Sequence, residues 1–413
     1  FQDFWHQLCA ALSDAARPGH LLSDAVLAQS NGLVHSPLNA RIAPAHLCEP
    51  DDPDGPACRD AVGRVIAAYR RAQADRRGAP APCMWERITS EKGRFLKALE
   101  RGDVPALCRD LGRMFRTDLV WGLGHVHESH PDLLAGSPEG SFVHLKFTDT
   151  LVNLAEAVGA ARVTSMEQDG VGHLQPLNVD LDELARAVLG RAGMDLSFPA
   201  VGAAYGFRVA DRFLTIDSLV HGYTLHRLRQ LGAGPGSEVA EIGGGYGCLA
   251  MLAHRAGLRR YTIYDLPWVN ALQGYFLITS LPPGSVRLYG ESAETTGALS
   301  VMPYWAIEDV PDGSVDYFVN TDSIPEMGLE TGRGYVRHIR RLLRGAFLSI
   351  NQEAKAPSGG YGNQLCVREL VEEAGGFRAE SRCRAWMRCG YVEEVFRPAG
   401  RPAPGADCAG GGM

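Results

Sequence analysis

The run Val239-Ala240-Glu241-Ile242-Gly243-Gly244-Gly245-Tyr246-Gly247 joins a short apolar stretch to a segment rich in Leu, Ala and Met. Glycines are required in such a loop because the chain turns sharply and a ligand must come close to the backbone. Twenty-two positions after Gly243 stands Asp265, at the end of the next apolar run. An acid so placed can accept hydrogen bonds from both ribose hydroxyls of a nucleotide-like cofactor. Tight turns use glycine everywhere, so it is the loop and the spaced acid together, inside a strand–helix–strand unit, that carry the reading. In the dinucleotide pattern GxGxxG the third glycine allows close packing of helix on strand. Here that position is Cys248, and the chain has no Tyr-x-x-x-Lys pair. Both features count against NAD or FAD.

These residues need a βαβ scaffold to position them, and from about residue 237 the sequence has that texture, with short apolar runs between helical stretches. Expected strands are Glu238–Ile242, Tyr261–Tyr264, Val286–Tyr289, Asp316–Asn320 and Ala346–Asn351, with helices through Leu249–Ala256 and near Gln364–Ala374. Phe377–Cys383 and Tyr391–Phe396 are two last strands. The expected fold class is α/β: over residues 201–397, a Rossmann-like domain with a mostly parallel seven-stranded sheet whose last strand is antiparallel. Residues 1–200 read as a mainly helical region that could cover the substrate. Cys58, Ala61, Val62, Val65, Ile66 and Tyr69 recur at helical spacing after Pro56. Further helical stretches are Phe95–Leu99, Val104–Phe115 and Thr148–Val158, and Asp180 with Glu183 resembles a capping box. Asp51–Pro56 and Arg77–Pro82 read as linkers, and residues 398–413 as a disordered tail.

With 413 residues and 45% hydrophobic content the chain has ample material for two or three domains. A formal charge of −7 argues against a nucleic-acid partner, which needs a concentrated basic face. Arg337, Arg340, Arg341 and Arg344 lie at helical spacing and read as a solvated helix face. Ten scattered cysteines without a CxxC pair fit reduced thiols in a cytoplasm. No apolar run approaches the roughly 18–20 residues of a membrane span. His125, His127 and His130, with Glu128 between, could converge on a metal ion, but read more simply as a polar surface loop.

Glu241-Ile242-Gly243-Gly244-Gly245-Tyr246-Gly247 resembles motif I of class I S-adenosylmethionine-dependent methyltransferases, and Val310–Tyr317 resembles the approach to their fourth strand. Asp265-Leu266-Pro267, the segment Asn320-Thr321-Asp322-Ser323-Ile324-Pro325-Glu326-Met327, Tyr335 and Ile339 are similar to a bacterial group of sugar O-methyltransferases found in antibiotic gene clusters. The resemblance covers roughly residues 200–397. Ile324-Pro325 departs from it, because the group often has an aromatic residue there. The resemblance implies S-adenosyl-L-methionine as cofactor and in-line methyl transfer to a hydroxyl of a sugar or glycosylated natural product. N- or O-methylation of a non-sugar small molecule, or an inactive cofactor-binding scaffold, are the alternatives. A divalent metal and a homo-oligomer stay open.

Within that reading the loops after the first, second, fourth and fifth strands surround the methyl group. Glu241, Gly243, Gly245, Tyr246, Gly247, Asp265, Leu266 and Asn320 are candidate cofactor residues from the motifs. Trp268 would stack near the adenine and Glu291 would lie on the adenine side. His221 and Tyr223, on the helix before the first strand, would reach the methionine end. Tyr246 and Trp268 read equally as packed residues, and His221 and Tyr223 read more simply as packed or solvated helix residues. A hydroxyl is a poor nucleophile while protonated, so a carboxylate, a histidine or a metal must act on its proton. Asp322 is the first choice of base, with a turn-capping role as its rival. Glu326 could orient the hydroxyl or hold its own loop, and His221, Asn351, Gln352 and Glu353 lie among the remaining candidates.

Overall fold

The structure, a computed structural model, describes residues 45–49, 55–124, 138–163, 180–292, 299–357, 360 and 362–400. Strand β1 (Ala45–Cys48) precedes helices α1 (Pro56–Ala74), α2 (Met84–Glu91), α3 (Gly93–Arg101), α4 (Val104–Leu111), α5 (Pro138–Ala157) and α6 (Leu181–Ala192). Strands β2 (Ala204–Val209) and β3 (Arg212–Leu214) lead into α7 (Ile216–Gln230). There follow β4 (Val239–Ile242), α8 (Cys248–Arg255), β5 (Tyr261–Asp265), α9 (Pro267–Ser280), β6 (Val286–Leu288) and β7 (Leu299–Pro303). The last elements are β8 (Val315–Thr321), α10 (Leu329–Leu342), β9 (Leu343–Gln352), α11 (Val367–Ala374), β10 (Phe377–Arg384) and β11 (Tyr391–Pro398). The His125–His130 cluster, most of the linker at 51–56 and the tail beyond residue 400 lie outside the described residues.

The chain forms two compact units, one of residues 1–53, 109–226 and 386–389, the other of 54–108, 227–385 and 390–413. The segment from 54 to 108 gathers with the large sheet, and the segment from 109 to 226 with the smaller one. The first unit holds a three-stranded antiparallel sheet, β1-β2-β3, which the helical reading of this region did not contain. Phe207 on β2 stacks on Phe147 of α5 with ring centroids 4.0 Å apart. Asp180 caps α6 as its spacing predicts, accepting from the backbone N–H groups of Asp182 at 2.8 Å and Glu183 at 3.2 Å.

The second unit is the expected mostly parallel α/β sheet, in the order β10-β11-β9-β8-β4-β5-β7-β6, with β11 antiparallel to its neighbours. It has eight strands where the sequence reading expects seven. The addition is β7, which inserts between β5 and β6 and runs parallel to both. Leu299–Pro303 is short and buried at all but one position, so it lacks the alternation that marks a strand in sequence. Helix α1 buries Cys58, Ala61, Val62, Val65, Ile66, Tyr69 and Ala72, the predicted stripe extended by a turn. It packs on α9, where a Cβ at Gly274 would lie 3.0 Å from Leu288 and 3.3 Å from Val65.

Tyr335 and Ile339 belong to the core formed by α10, α11 and the sheet. The arginines of α10 and its end keep the solvated face that their spacing predicts, with Arg337, Arg340 and Arg344 exposed and Arg341 half-buried, and three of the four make bonds along it. Arg341 donates to the carbonyls of Val310 and Ile307 and to Asp312, Arg340 to the carbonyl of Ala374, and Arg344 pairs with Asp316. Among the described residues no helix is long and apolar enough to cross a membrane.

Candidate active site

The four residues of β4 are fully buried, and the chain leaves the strand through three glycines in the left-handed region: Gly243 (φ 69°), Gly245 (φ 55°) and Gly247 (φ 104°), the last capping α8. Side chains rarely adopt that conformation, so the loop's path is reserved to glycine. What crowds Gly243 comes from within the protein. A Cβ there would collide with Ser323, whose hydroxyl donates to the Ile242 carbonyl at 2.8 Å. Asn320, at 0% exposure, donates from Nδ2 to the same carbonyl at 2.8 Å and to the Ser323 hydroxyl at 2.6 Å. The carboxyl ends of β4 and β8 are thus bonded together before any ligand is considered.

On the other side of β4, Asp265 ends β5 and turns its carboxylate toward the loop. Oδ2 accepts from the Gly244 N–H at 3.1 Å and from Gln273 Nε2 at 2.8 Å, and Oδ1 accepts from the Leu266 N–H at 2.8 Å. Gln273 also donates to the Gly245 carbonyl at 2.9 Å, so it ties acid and loop to α9. Burial pushes Asp265 up to about 7, against the pull of the Leu266, Gln273 and Gly244 donors. A carboxylate offers about four acceptor positions, so these three bonds leave it capacity for a ligand hydroxyl.

Two neighbouring candidates turn inward. Glu241 is 1% exposed and accepts from the Tyr261 hydroxyl at 3.0 Å beneath Gly244. Its burial raises it to about 8 despite that bond. Tyr246 is 1% exposed and packs edge-on against Phe276, 5.0 Å between centroids.

Asp322 follows β8 directly and is a non-glycine residue with φ 66°, its N–H donating to the Ile350 carbonyl at 3.3 Å. Left-handed backbone is costly for a residue with a Cβ and is least so for Asn and Asp, so this turn is one that aspartate can hold. Glu326 follows in a short turn and accepts from the Trp85 indole N–H at 3.0 Å. Burial raises its carboxyl to about 7, with the Trp85 bond acting against it. The Oδ1 atoms of Asn320 and of Asn351, at the end of β9, are buried and without a hydrogen-bond partner among the described residues.

Other candidates are spent elsewhere. Glu291 receives Arg64 in a two-pronged ion pair, 2.8 Å at each oxygen, and accepts from the Leu288 N–H, which pins α1 to the end of β6. Glu353 is held the same way by Arg382, 2.7 Å at each oxygen. Trp268 is 4% exposed, and its indole donates to Thr89 Oγ1 at 3.0 Å. His221 and Tyr223 lie on the part of α7 that belongs to the first unit. Among the described residues no group of three His, Cys, Asp or Glu side chains could hold a metal ion.

No family model matches the chain, and no curated protein matches its sequence. Among solved structures it is similar to an O-methyltransferase family protein from Burkholderia thailandensis, with 12% identity over 45% of this chain and 60% of that one and a TM-score of 0.31. It is similar to the pyocyanin biosynthetic protein PhzM, with 17% identity over 44% and 57% and a TM-score of 0.31. It is also similar to the cyclase SpnF, with 16% identity over 40% and 76% and a TM-score of 0.30. Each likeness spans less than half of this chain.

Sequence reasoning did not single out Gln273, Trp85 or Thr89, and it gave Ser323 only as part of the segment that resembles the sugar group. Gln273 is the fully buried polar side chain of α9, but Asn270, Thr279 and Ser280 lie in the same helix, so no sequence signal set it apart. Trp85 and Thr89 carried none, because their partners lie more than 170 positions away.

Proposed function

We propose that the second unit binds S-adenosylmethionine at the carboxyl ends of β4, β5 and β8 and transfers its methyl group to a hydroxyl of a small molecule, a sugar or glycoside. The observation that carries this is the union of the left-handed glycine loop with Asp265, through the Gly244 N–H and through Gln273. That union holds an acceptor carboxylate beside a loop whose one side chain, Tyr246, turns into the core, as a ribose and its attached sulfonium side chain would need. The buried, unpartnered amide oxygens of Asn320 and Asn351 add acceptors suited to ammonium or hydroxyl donors.

When bound, the cofactor supplies an electrophilic methyl on a positively charged sulfur, which leaves as a neutral thioether. Asp265 holds the ribose hydroxyls, and the Gly243–Gly247 backbone lines the cleft. Asp322 takes the acceptor's proton as the new oxygen–carbon bond forms. Glu326 orients the acceptor hydroxyl. The Asp265-Leu266-Pro267 and Ser323–Met327 segments, which resemble the sugar group, flank β4 on its two sides and support a sugar acceptor.

The test is incubation of the protein with methyl-labelled S-adenosylmethionine and a panel of glycosides and matching aglycones. Label is expected in glycosides only. Transfer to aglycones alone overturns the sugar acceptor, and binding of the cofactor without transfer to any acceptor favours a scaffold.

A further inference from the structure

Helix α2 reaches both sides of this site. Trp85, in its first turn, donates to Glu326 Oε2 at 3.0 Å, and Thr89, one turn on, accepts from Trp268 Nε1 at 3.0 Å. The two indole rings lie 6.3 Å apart at 45°. Glu326 follows β8 and Trp268 follows β5, while β4 lies between those strands. A helix bonded to both must therefore cross the carboxyl end of β4, where the glycine loop begins.

The approach to α2 is anchored as well. Tyr304 donates to the Gly78 carbonyl at 3.0 Å, and the Ala81 N–H donates to Thr331 Oγ1 at 2.8 Å. The Pro82 carbonyl lies so near Gly328 that a Cβ there would approach it to 2.7 Å. The helix itself is lightly held. It fully buries only Ile88, where α1 buries seven side chains. A segment with so little buried apolar surface opens at low cost, and its two indole hydrogen bonds form a large part of what keeps it down.

We propose that α2 is a lid over the cofactor cleft and that Trp85 is a positioning residue, which sets the Glu326 carboxyl in place only when the lid is shut. This rests on the reading that S-adenosylmethionine occupies the cleft. Cofactor exchange requires α2 to lift, which breaks the Trp85–Glu326 and Trp268–Thr89 bonds together. Closure restores both, so Glu326 is placed for the acceptor only in the loaded protein.

Hydrogen–deuterium exchange on the full chain, with and without S-adenosylmethionine, tests this alongside near-ultraviolet circular dichroism. In the ligand-free protein the α2 amides are expected to exchange faster than those of α1, and the cofactor is expected to slow them. Trp85→Phe keeps a ring but loses the N–H, and is expected to speed α2 exchange about three- to tenfold, the effect of one lost hydrogen bond. Thr89→Val removes the other bond without touching either tryptophan and is expected to act in the same direction, which covers the case that Trp85→Phe misfolds. The indole band should change when cofactor is added, and Trp85→Phe should remove the part of that change due to Trp85 and leave the part due to Trp268, whereas a merely structural Trp85 would leave the change as it was. The proposal is overturned if cofactor slows the glycine loop but not α2, or if neither variant alters α2 exchange. If cofactor slows nothing, the cofactor reading fails, and unaltered α2 exchange in both variants would then overturn the clamp on its own account.

Discussion

Asp265 and Glu326 stand at strand ends on either side of β4, and burial raises both to about 7, yet they are held in different ways. Asp265 accepts three hydrogen bonds, all from its own loop, the glycine loop and α9. Glu326 accepts from Trp85, which belongs to a helix 241 positions away in sequence. A carboxylate fixed by its immediate neighbours is a preformed holder, ready before the ligand arrives. A carboxyl fixed from a distant element depends on where that element is. On the proposed reading the β5 side therefore binds, and the β8 side, with Asp322 in its left-handed turn, carries the chemistry.

The sharpest way to break this division is Asp322→Asn. Asparagine tolerates the same backbone conformation and keeps the shape, but cannot take a proton. Turnover is expected to fall by about 10²–10⁴, with S-adenosylmethionine affinity within about threefold of the original. Steady-state kinetics and calorimetry check the two halves of that statement. Retained turnover in Asp322→Asn with loss in Glu326→Gln would move the base along the same loop and leave the division standing. Loss of turnover in Asp265→Asn at unchanged cofactor affinity would break it.

On the β5 side, Asp265→Ala should weaken cofactor binding by about 1.5–3 kcal/mol, the range for a hydrogen bond to a charged group. Calorimetry reads this directly, and a folded variant with unchanged affinity would remove Asp265 from the site.

The third prediction concerns pH and the β8 side. Glu326 has its carboxyl raised from 4.5 to about 7, so the folded state favours the protonated form. The stability this gives is complete below pH 4.5 and is lost as pH rises through about 7. Glu326→Gln can still accept from Trp85 but carries no charge, so it should escape that loss. Relative to the parent, its unfolding free energy should gain about 1–3 kcal/mol between those limits and then level off. Denaturant melts across the range would show it, and a constant difference between variant and parent would mean that Glu326 is not held in a desolvated place.

Much of the second unit was legible because its signals are local. The helical stripe after Pro56, the strand–glycine–helix run and the acid at the end of β5 each declare themselves within a few residues. Strand β7 escaped notice because five nearly all-buried residues show no period. The pairing of β1 with β2 joins residues 45–48 to 204–207, and no local pattern announces a partner at that distance. The candidate site was legible in the same uneven way. Backbone requirements at Gly243, Gly245 and Gly247 and the place of Asp265 follow from spacing, whereas side-chain direction does not. Tyr246 sits in the expected loop yet points into the core, and Trp268 follows the expected acid yet is bonded to Thr89.

Glu291 shows that last point most clearly and gives the smallest expected effect. Spacing places it after β6, on the adenine side, but the structure gives both its oxygens to Arg64 and one of them also to the Leu288 N–H. Burial works to raise its carboxyl, and the bonds from Arg64 and Leu288 outweigh that and lower it. Arg64 and Glu291 retain 30% and 32% side-chain exposure, so solvent screens much of their attraction. Glu291→Gln should cost about 0.5–1 kcal/mol, which lowers the melting temperature by roughly 1–4 °C. Because the side chain faces α1 rather than the glycine loop, cofactor affinity should stay within about twofold, since no bond to a charged ligand group is lost. Scanning calorimetry in the presence and absence of S-adenosylmethionine separates the two effects. An equal drop in both conditions makes Glu291 a pin for α1. A drop that grows when cofactor is present would place the carboxylate in the cleft after all, and the holder on the β5 side would then extend to the end of β6.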